Sequence, residues 1–289
     1  MGLWNYSYGV IALGTGLLAL ASAVAGCVTV ERGRGLIGDA LGHSTFPGVI
    51  IAFMVLSSRN VTGLMVGSAL AAIVATWVIG WLGEDRRMEK DGVLAIVLSG
   101  FFGLGLVLKS YISGNAAYQG ATQAGLSSYI FGQAAYILER DVLLISAVAI
   151  VVLALLGVFY RPLSIFLFDD TYAETVGISS RAMEALILGV MIALISVGLK
   201  VVGAILISSF LIIPAVSAKL WTKTFPRTMA LAAVFAVASS LVGSAISMVV
   251  PGMSTGPVIV LIMGSLALVS LFVSPNGILA SRRRREALK

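Results

Sequence analysis

The chain has 289 residues, of which 59% are hydrophobic and only 11% are charged, and its mean hydropathy is +1.04. Soluble domains usually carry about 25% charged residues, so this composition excludes an ordinary water-facing surface and places most of the chain in lipid. The formal net charge of +6 is a poor argument for nucleic-acid binding, because the distribution of basic residues matters more than their sum in a membrane protein.

Long apolar runs predict an all-α fold, a polytopic bundle of eight to nine transmembrane helices that forms one membrane domain over residues 1–289. Each run approaches the roughly 20 residues that a spanning helix needs. The first run has no basic region before it and no small-residue cleavage site, so we interpret it as a retained helix. The stretch 182–220 can be divided in more than one way, which leaves an eight-span model open. The nine predicted spans are 8–30, 36–56, 61–82, 93–108, 142–159, 182–199, 202–220, 228–250 and 257–273.

The basic residues predict the orientation of these spans. Alternate connections contain 15 of the 19 Lys and Arg residues, and the opposite connections contain only the remaining four. The positive-inside rule therefore puts the N-terminus outside and the C-terminus in the cytoplasm, with a basic cytoplasmic tail at 281–289. Cys27 is the only cysteine, so no intrachain disulfide can form.

The second predicted span carries two ionisable residues, which are rare inside a membrane and usually face a pore or the bundle interior. Asp39 and His43, the only histidine, are four residues apart, so a helix places both on one face. A helix that starts near Arg34 would put them roughly 7–8 Å and 13–14 Å along its axis, with His43 near the midplane. Gly38 and Gly42 form the neighbouring strip, where small residues let another helix approach closely.

A carboxylate with an imidazole suits Mn, Fe or Zn better than Cu(I), which prefers Cys and Met. Two ligands are too few for a tight site, so we expect a second copy of the pair from a symmetric partner chain. Two simpler interpretations remain open. The two side chains could only hydrogen-bond each other in a packed bundle, or Asp39 could cap the start of a helix.

Two connecting segments carry further signals. Residues 109–140 are long, weakly polar and partly aromatic, which is typical of either an interfacial segment or an outer gate. Residues 161–181 contain "FDDTYAETVGISSR", which begins with acidic residues and reaches a glycine at Gly177. Acidic residues favour a helix start and glycine favours its end, so this stretch predicts a short cytoplasmic amphipathic helix.

Motifs of catalysis are missing from the sequence. It contains no glycine-rich phosphate loop with its Lys and Ser or Thr, so the chain does not bind ATP by that device. A Ser-His-Asp arrangement is excluded in practice, because the only histidine is predicted to lie in the membrane. We therefore expect a transport protein and not an enzyme.

Three stretches together resemble the membrane subunits of bacterial metal-type ABC importers, the manganese, zinc and iron permeases. They are "GDALGHSTFPGV", "FDDTYAETVGI" and "VGAILISSFLIIPAVSAKL", and the later "SPNGIL" also fits. By this resemblance Asp39 and His43 are pore-lining metal ligands. The resemblance also makes 161–181 a coupling loop to the ATPase, through Asp169, Asp170, Glu174 and Gly177.

The resemblance further implies an assembly in the bacterial inner membrane. Two permease chains pair, two ATPase subunits dock on the cytoplasmic side, and a separate extracytoplasmic protein delivers the metal. No permanently bound cofactor is implied, and the metal ion is cargo. Gln133 stands where many relatives carry an acidic residue or Asn, which leaves homodimer and paralogous heterodimer both open.

Two other classes of protein remain compatible with the residues alone. An ion-coupled secondary transporter could use Asp39 and His43 as a proton relay. A membrane scaffold or assembly factor would show no metal dependence. An ABC permease should be encoded beside an ATPase and a solute-binding protein, whereas a secondary transporter should work alone.

Overall fold

The computed structural model describes residues 6–56, 60–84, 88–115, 137–250 and 253–279. Over these ranges the regular structure is entirely α-helical, which confirms the predicted fold class. The helices described there are α1 (Tyr6–Glu31), α2 (Ile37–Ser44), α3 (Phe46–Leu56), α4 (Val61–Gly83), α5 (Lys90–Gly114), α6 (Glu139–Val158), α7 (Tyr160–Phe168), α8 (Asp170–Thr175), α9 (Ser180–Val201), α10 (Gly203–Trp221), α11 (Phe225–Val249) and α12 (Thr255–Val273).

Nine candidate membrane spans lie within the described part of the chain, and α2 and α3 together form one of them. Their bounds follow the nine apolar runs closely, although the fourth span is longer than predicted and reaches from Lys90 to Gly114. The ambiguous stretch 182–220 divides at Val202, just before Gly203 with its φ of +82°. A left-handed glycine lets the chain reverse in one residue, so two full spans fit where an eight-span model would merge them.

The spans divide into a buried centre and a more exposed periphery. More than half of each of the spans 8–31, 37–56, 180–201 and 203–221 is buried, against about a third or less of each remaining span. Hydroxyl pairs help to join these elements. Thr15 of α1 accepts a hydrogen bond from Ser240 of α11 at 2.7 Å, a contact that adds to packing between helices in lipid.

Glycine brings α3 and α4 into backbone contact. A Cβ atom on Gly48 would lie 2.1 Å from the Gly67 carbonyl oxygen, and one on Gly67 would lie 2.5 Å from the Gly48 oxygen. Neither position accepts a side chain without separating the helices. This close crossing fixes α3 against α4 and so holds the second half of the broken span that begins with α2.

Candidate metal site and coupling segment

The helix that carries Asp39 and His43 is short and lies in the buried centre of the bundle. It begins at Ile37 and ends at Ser44, and Thr45 separates it from α3. Pro47 has no amide hydrogen to donate to the His43 carbonyl four residues earlier, which accounts for a break at this place. The predicted span 36–56 agrees with the structure to one residue. The start near Arg34 that the depth estimate assumed is wrong, since residues 35–36 form a turn.

The later start makes both residues shallower than predicted. At about 1.5 Å per residue, Asp39 lies roughly 3 Å and His43 roughly 9 Å from the start of a 20-residue span. His43 is thus about a third of the way along the span and not at its midplane. The order of the two along the axis is as predicted, with Asp39 nearer the charged turn, which we define as residues 31–35.

Asp39 and His43, called here the Asp–His pair, lie on one face as their spacing predicts. The His43 Nε2 atom is 3.4 Å from Asp39 Oδ1. The His43 side chain is 19% exposed and that of Asp39 is 37% exposed. Both therefore keep open surface in a helix that is otherwise largely buried, which is the property that a ligand site in a bundle requires.

The neighbours of the pair are one aromatic ring and one hydroxyl. Phe102 of α5 packs edge-on against the His43 ring, with ring centroids 5.1 Å apart. Ser208 of α10 interacts through its side chain with the Asp39 carboxylate. Sequence reasoning missed both residues, because nothing in their local pattern separates them from the other apolar and small residues of their helices.

The capping interpretation of Asp39 does not hold. The N-cap of α2 is Leu36, and no side chain caps this helix start. The mutual contact of the two side chains does form, as the simpler interpretation expected. Within the described residues, no third His, Cys, Asp or Glu joins the pair to make a group that could hold a metal ion.

The neighbouring glycines differ in how much room they have. A Cβ atom on Gly38 would lie 3.1 Å from Leu211 Cδ1 and 3.3 Å from Met191 Cε, which is tight. One on Gly42 would meet nothing nearer than 3.9 Å. Close approach of α9 and α10 to α2 therefore depends on Gly38 far more than on Gly42.

Ion pairs hold the charged turn to three other elements. Glu31 accepts a hydrogen bond from Lys219 of α10 at 3.0 Å, and Arg34 pairs with Glu184 of α9. Arg32 lies 3.5 Å from the Asp170 carboxylate of α8. Its guanidinium also lies 4.2 Å from the centre of the Phe166 ring, a favourable cation–π distance.

The segment 161–181 contains the short helix that its sequence predicts. Asp169 caps it by accepting a hydrogen bond from the Tyr172 amide at 2.9 Å. The helix ends before Gly177, whose φ is +83°. After this turn the Ile178 amide donates back to the Ala173 carbonyl at 2.9 Å, which closes the helix end.

One side of this helix faces the protein and another faces away. Ala173 is buried, and Asp170 is turned toward Arg32. Phe168 is 97% exposed, and Tyr172 and Val176 are also exposed. Of the predicted coupling residues, Asp169 thus has a capping role, Asp170 an internal ion pair and Gly177 a left-handed turn, while Glu174 is exposed.

A second acid–base pair was not expected from the sequence. Asp141 of α6 and Lys200 of α9 form an ion pair, with side chains 10% and 17% exposed. Asp141 also accepts a hydrogen bond from the Leu138 amide at 3.2 Å. Nothing in the sequence links the two residues, which are 59 positions apart. We call them the Asp–Lys pair.

Three earlier predictions fall wholly or mainly on parts of the chain that are not described. They are the basic tail 281–289, most of the outer segment 109–140, and the unusual residue Gln133.

The bundle and its polar interior define a class of protein. Nine apolar spans make the chain a multi-pass membrane protein, and a half-open Asp–His pair on a buried helix is typical of transporters.

The particular family follows from comparison with known proteins. The family model of the ABC 3 transport family matches residues 8–274, and the chain belongs to this family. The zinc transport system membrane protein TroC of Treponema pallidum is 38% identical over 98% of this chain and 95% of its own length. The manganese transport system membrane protein MntC of Bacillus subtilis is 35% identical over 94% of this chain and 62% of its own length.

The fold has a solved counterpart. The structure of PsaBC from Streptococcus pneumoniae in complex with Fab has a TM-score of 0.77 to this chain. The match covers 94% of both chains at 24% sequence identity, so it bears on the fold alone. Together with the family and the nine apolar spans, these relatives identify the chain as a multi-pass protein of the bacterial inner membrane.

Proposed function

We propose that this chain is the permease subunit of an ATP-driven importer of divalent transition metal ions. The observation that carries this proposal is the half-open Asp–His pair on a buried, broken helix in a member of the ABC 3 transport family. Manganese is our first candidate, with zinc and iron as alternatives, because an oxygen and an imidazole ligand suit all three. Relatives named as zinc, manganese and iron transport proteins support this class of cargo.

The cargo site is completed by a second permease chain. One chain offers Asp39 and His43 as metal ligands, and a pair of chains would offer two of each. The exposed surface that both side chains keep supports such an arrangement. Few ligands also favour release, because a transport site must be weak enough for the ion to leave. The partner is a second copy or a paralogous chain.

ATP hydrolysis belongs to two separate ATPase subunits. The segment 161–181 docks on them at the predicted cytoplasmic face, with Phe168 and Tyr172 forming its exposed apolar contact and Glu174 its free carboxylate. Asp169 and Gly177 hold the shape of the helix, and Asp170 ties it to Arg32. The chain itself is therefore not an enzyme.

The metal arrives from outside on a separate binding protein, passes the outer segment 109–140 and reaches the Asp–His pair. Rigid shifts of the helices then alternate access to the two sides of the membrane. His43 binds a metal only as the neutral imidazole, so protons compete with the cargo and uptake should weaken in acid.

The test is uptake of radiolabelled manganese by the complex reconstituted in vesicles. We expect Asp39→Ala and His43→Ala to abolish uptake while assembly with the ATPase subunits is unchanged. Asp91→Ala removes an exposed carboxylate from the first turn of α5 and serves as the matched control, with normal uptake expected. Normal manganese uptake by His43→Ala would contradict the site.

Competition by unlabelled zinc and iron in the same assay ranks the three metals. Omitting ATP separates the importer from a secondary transporter, since only the importer should stop. Uptake that continues without ATP would overturn the proposed energy source and leave the Asp–His pair as a possible proton relay.

A further inference from the structure

A cleft between α2, α4, α5 and α9 opens at the end of the bundle where the charged turn lies. Its volume is about 500 Å³, and it has no role in the transport scheme above. The deep wall is apolar and the mouth is charged. Wall residues include Ile37, Ile79, Leu94 and Leu188, and mouth residues are Arg34, Glu84, Lys90, Arg181 and Glu184.

Two basic side chains of the mouth have no ion-pair partner among the described residues. Arg34 and Glu184 neutralise each other in an ion pair. Lys90 and Arg181 form no ion pair with any residue in the described ranges, and Glu84 is the other acid among the described lining residues. A site with two such cations over an apolar wall is chemically unsuited to a metal ion. It matches a molecule with an anionic head and an apolar body.

The neighbouring surface of α4 indicates where this mouth lies relative to the membrane. Trp77 and Trp81 are exposed on the helix that contributes Thr76 and Gly80 to the cleft. Exposed tryptophans concentrate at the level of the lipid headgroups. The mouth therefore lies at headgroup level, and the apolar wall continues into the acyl-chain region.

We propose that this cleft binds an anionic phospholipid of the inner leaflet, with its phosphodiester between Lys90 and Arg181 and an acyl chain along the apolar wall. Basic pockets between membrane helices on the cytoplasmic side are known to hold such headgroups. We take phosphatidylglycerol, whose phosphodiester is anionic, as the probe for Lys90 and Arg181. This site is independent of the cargo and of the energy source.

Native mass spectrometry of the purified full-length chain tests the proposal by titration with phosphatidylglycerol. We expect Lys90→Gln and Arg181→Gln each to weaken binding by about fivefold, from roughly 1 kcal/mol per basic residue near a phosphate. The matched control is Arg227→Gln, an exposed basic residue of α11 outside the cleft, which should bind like the unaltered chain. Equal lipid binding by the Lys90→Gln/Arg181→Gln double variant would overturn the proposal.

Further experiments distinguish an anionic lipid from the other molecules that could occupy the cleft. Phosphatidylcholine should bind more weakly than phosphatidylglycerol, and inorganic phosphate should not displace the lipid. Displacement by phosphate would make this a free-anion site and contradict the lipid. In membranes of cells that make the whole complex, a photoreactive residue in place of Ala185 in the cleft should yield a lipid adduct. An adduct to a second permease chain or to another polypeptide would overturn the assignment.

Discussion

The Asp–Lys pair and the Asp–His pair both lie within membrane spans, and they are built in opposite ways. The Asp–Lys pair joins α6 to α9, and its carboxylate is only 10% exposed and also accepts a capping hydrogen bond. The Asp–His pair lies within α2 alone, and its carboxylate is 37% exposed, whereas the His43 and Lys200 side chains are similarly exposed, at 19% and 17%. A buried charge without a partner is costly, so the first pair is satisfied inside the fold. The second pair keeps the more exposed carboxylate, as its proposed role as a metal ligand requires.

We interpret this difference as one between a structural pair and the proposed metal-binding pair. Lys200 forms an ion pair with Asp141, whereas an imidazole such as that of His43 is a common metal ligand. The Asp–His pair also lies close to the charged turn, which contacts the helix of segment 161–181 through Arg32. No such contact connects the Asp–Lys pair to that segment among the described residues.

The largest expected effect is on folding stability. Asp141→Ala leaves the Lys200 cation buried and unpaired, so we expect a loss of about 3–5 kcal/mol in the free energy of unfolding. Asp39→Ala removes a carboxylate that is 37% exposed, so the loss should stay below about 1 kcal/mol. Thermal unfolding in detergent, followed by tryptophan fluorescence, measures both.

A double variant is the control for this prediction. Asp141→Leu combined with Lys200→Met replaces the buried pair with apolar groups, and should recover most of the lost stability. The double variant also loses the hydrogen bond from the Leu138 amide to Asp141. Its free energy of unfolding should therefore stay about 1 kcal/mol below that of the unaltered chain. If Asp39→Ala proves as destabilising as Asp141→Ala, the division into structural and functional pairs is wrong.

An intermediate effect is expected at Arg32, the contact between the charged turn and α8. Arg32→Ala removes both the ion pair with Asp170 and the cation–π contact with Phe166. A movement of α8 should then be transmitted less completely through the charged turn to α2. We expect metal uptake per ATP hydrolysed to fall by on the order of threefold to tenfold, with metal binding unchanged.

The matched control for Arg32 is Arg227→Ala, which removes an exposed basic residue of α11 outside segment 161–181 and should keep normal coupling. Unchanged uptake per ATP in Arg32→Ala would show that the turn and the helix move independently.

The smallest expected effect is on folding stability when a methyl group is added to one of the two glycines beside the Asp–His pair. Gly38→Ala forces the ends of Leu211 and Met191 to shift by a few tenths of an ångström, so we expect a cost of about 1 kcal/mol. Gly42→Ala fits at ordinary contact distance and should be neutral or slightly stabilising, since alanine favours the helix. Thermal unfolding of the two variants gives the comparison. Equal destabilisation would contradict the packing of α9 and α10 at Gly38.

Local features of the chain were predictable because they depend on near neighbours in sequence. The nine spans follow from run length, and the α8 helix follows from Asp169 at its start and Gly177 after its end. The i,i+4 spacing placed Asp39 and His43 on one face. The depth estimate for the pair assumed a helix start near Arg34, which is three residues too early, because charge alone does not show where a turn ends and a helix begins.

Contacts between distant segments were not predictable from local pattern. Phe102 and Ser208 look like ordinary members of apolar helices until the fold brings them to the Asp–His pair. The Asp–Lys pair and the Arg32 contact with Asp170 join residues 59 and 138 positions apart. The orientation of the chain and the pairing of two permease chains stay predictions.

The sequence by itself determined that this protein lies in a bilayer, where its helices lie along the chain, and that Asp39 and His43 share one helical face. Those properties follow from hydropathy and helical period, which act over one or a few turns. Only the tertiary structure decided which charges are buried and neutralised and which stay open. That decision depends on packing between helices far apart in sequence, because the cost of a buried charge is set by what surrounds it.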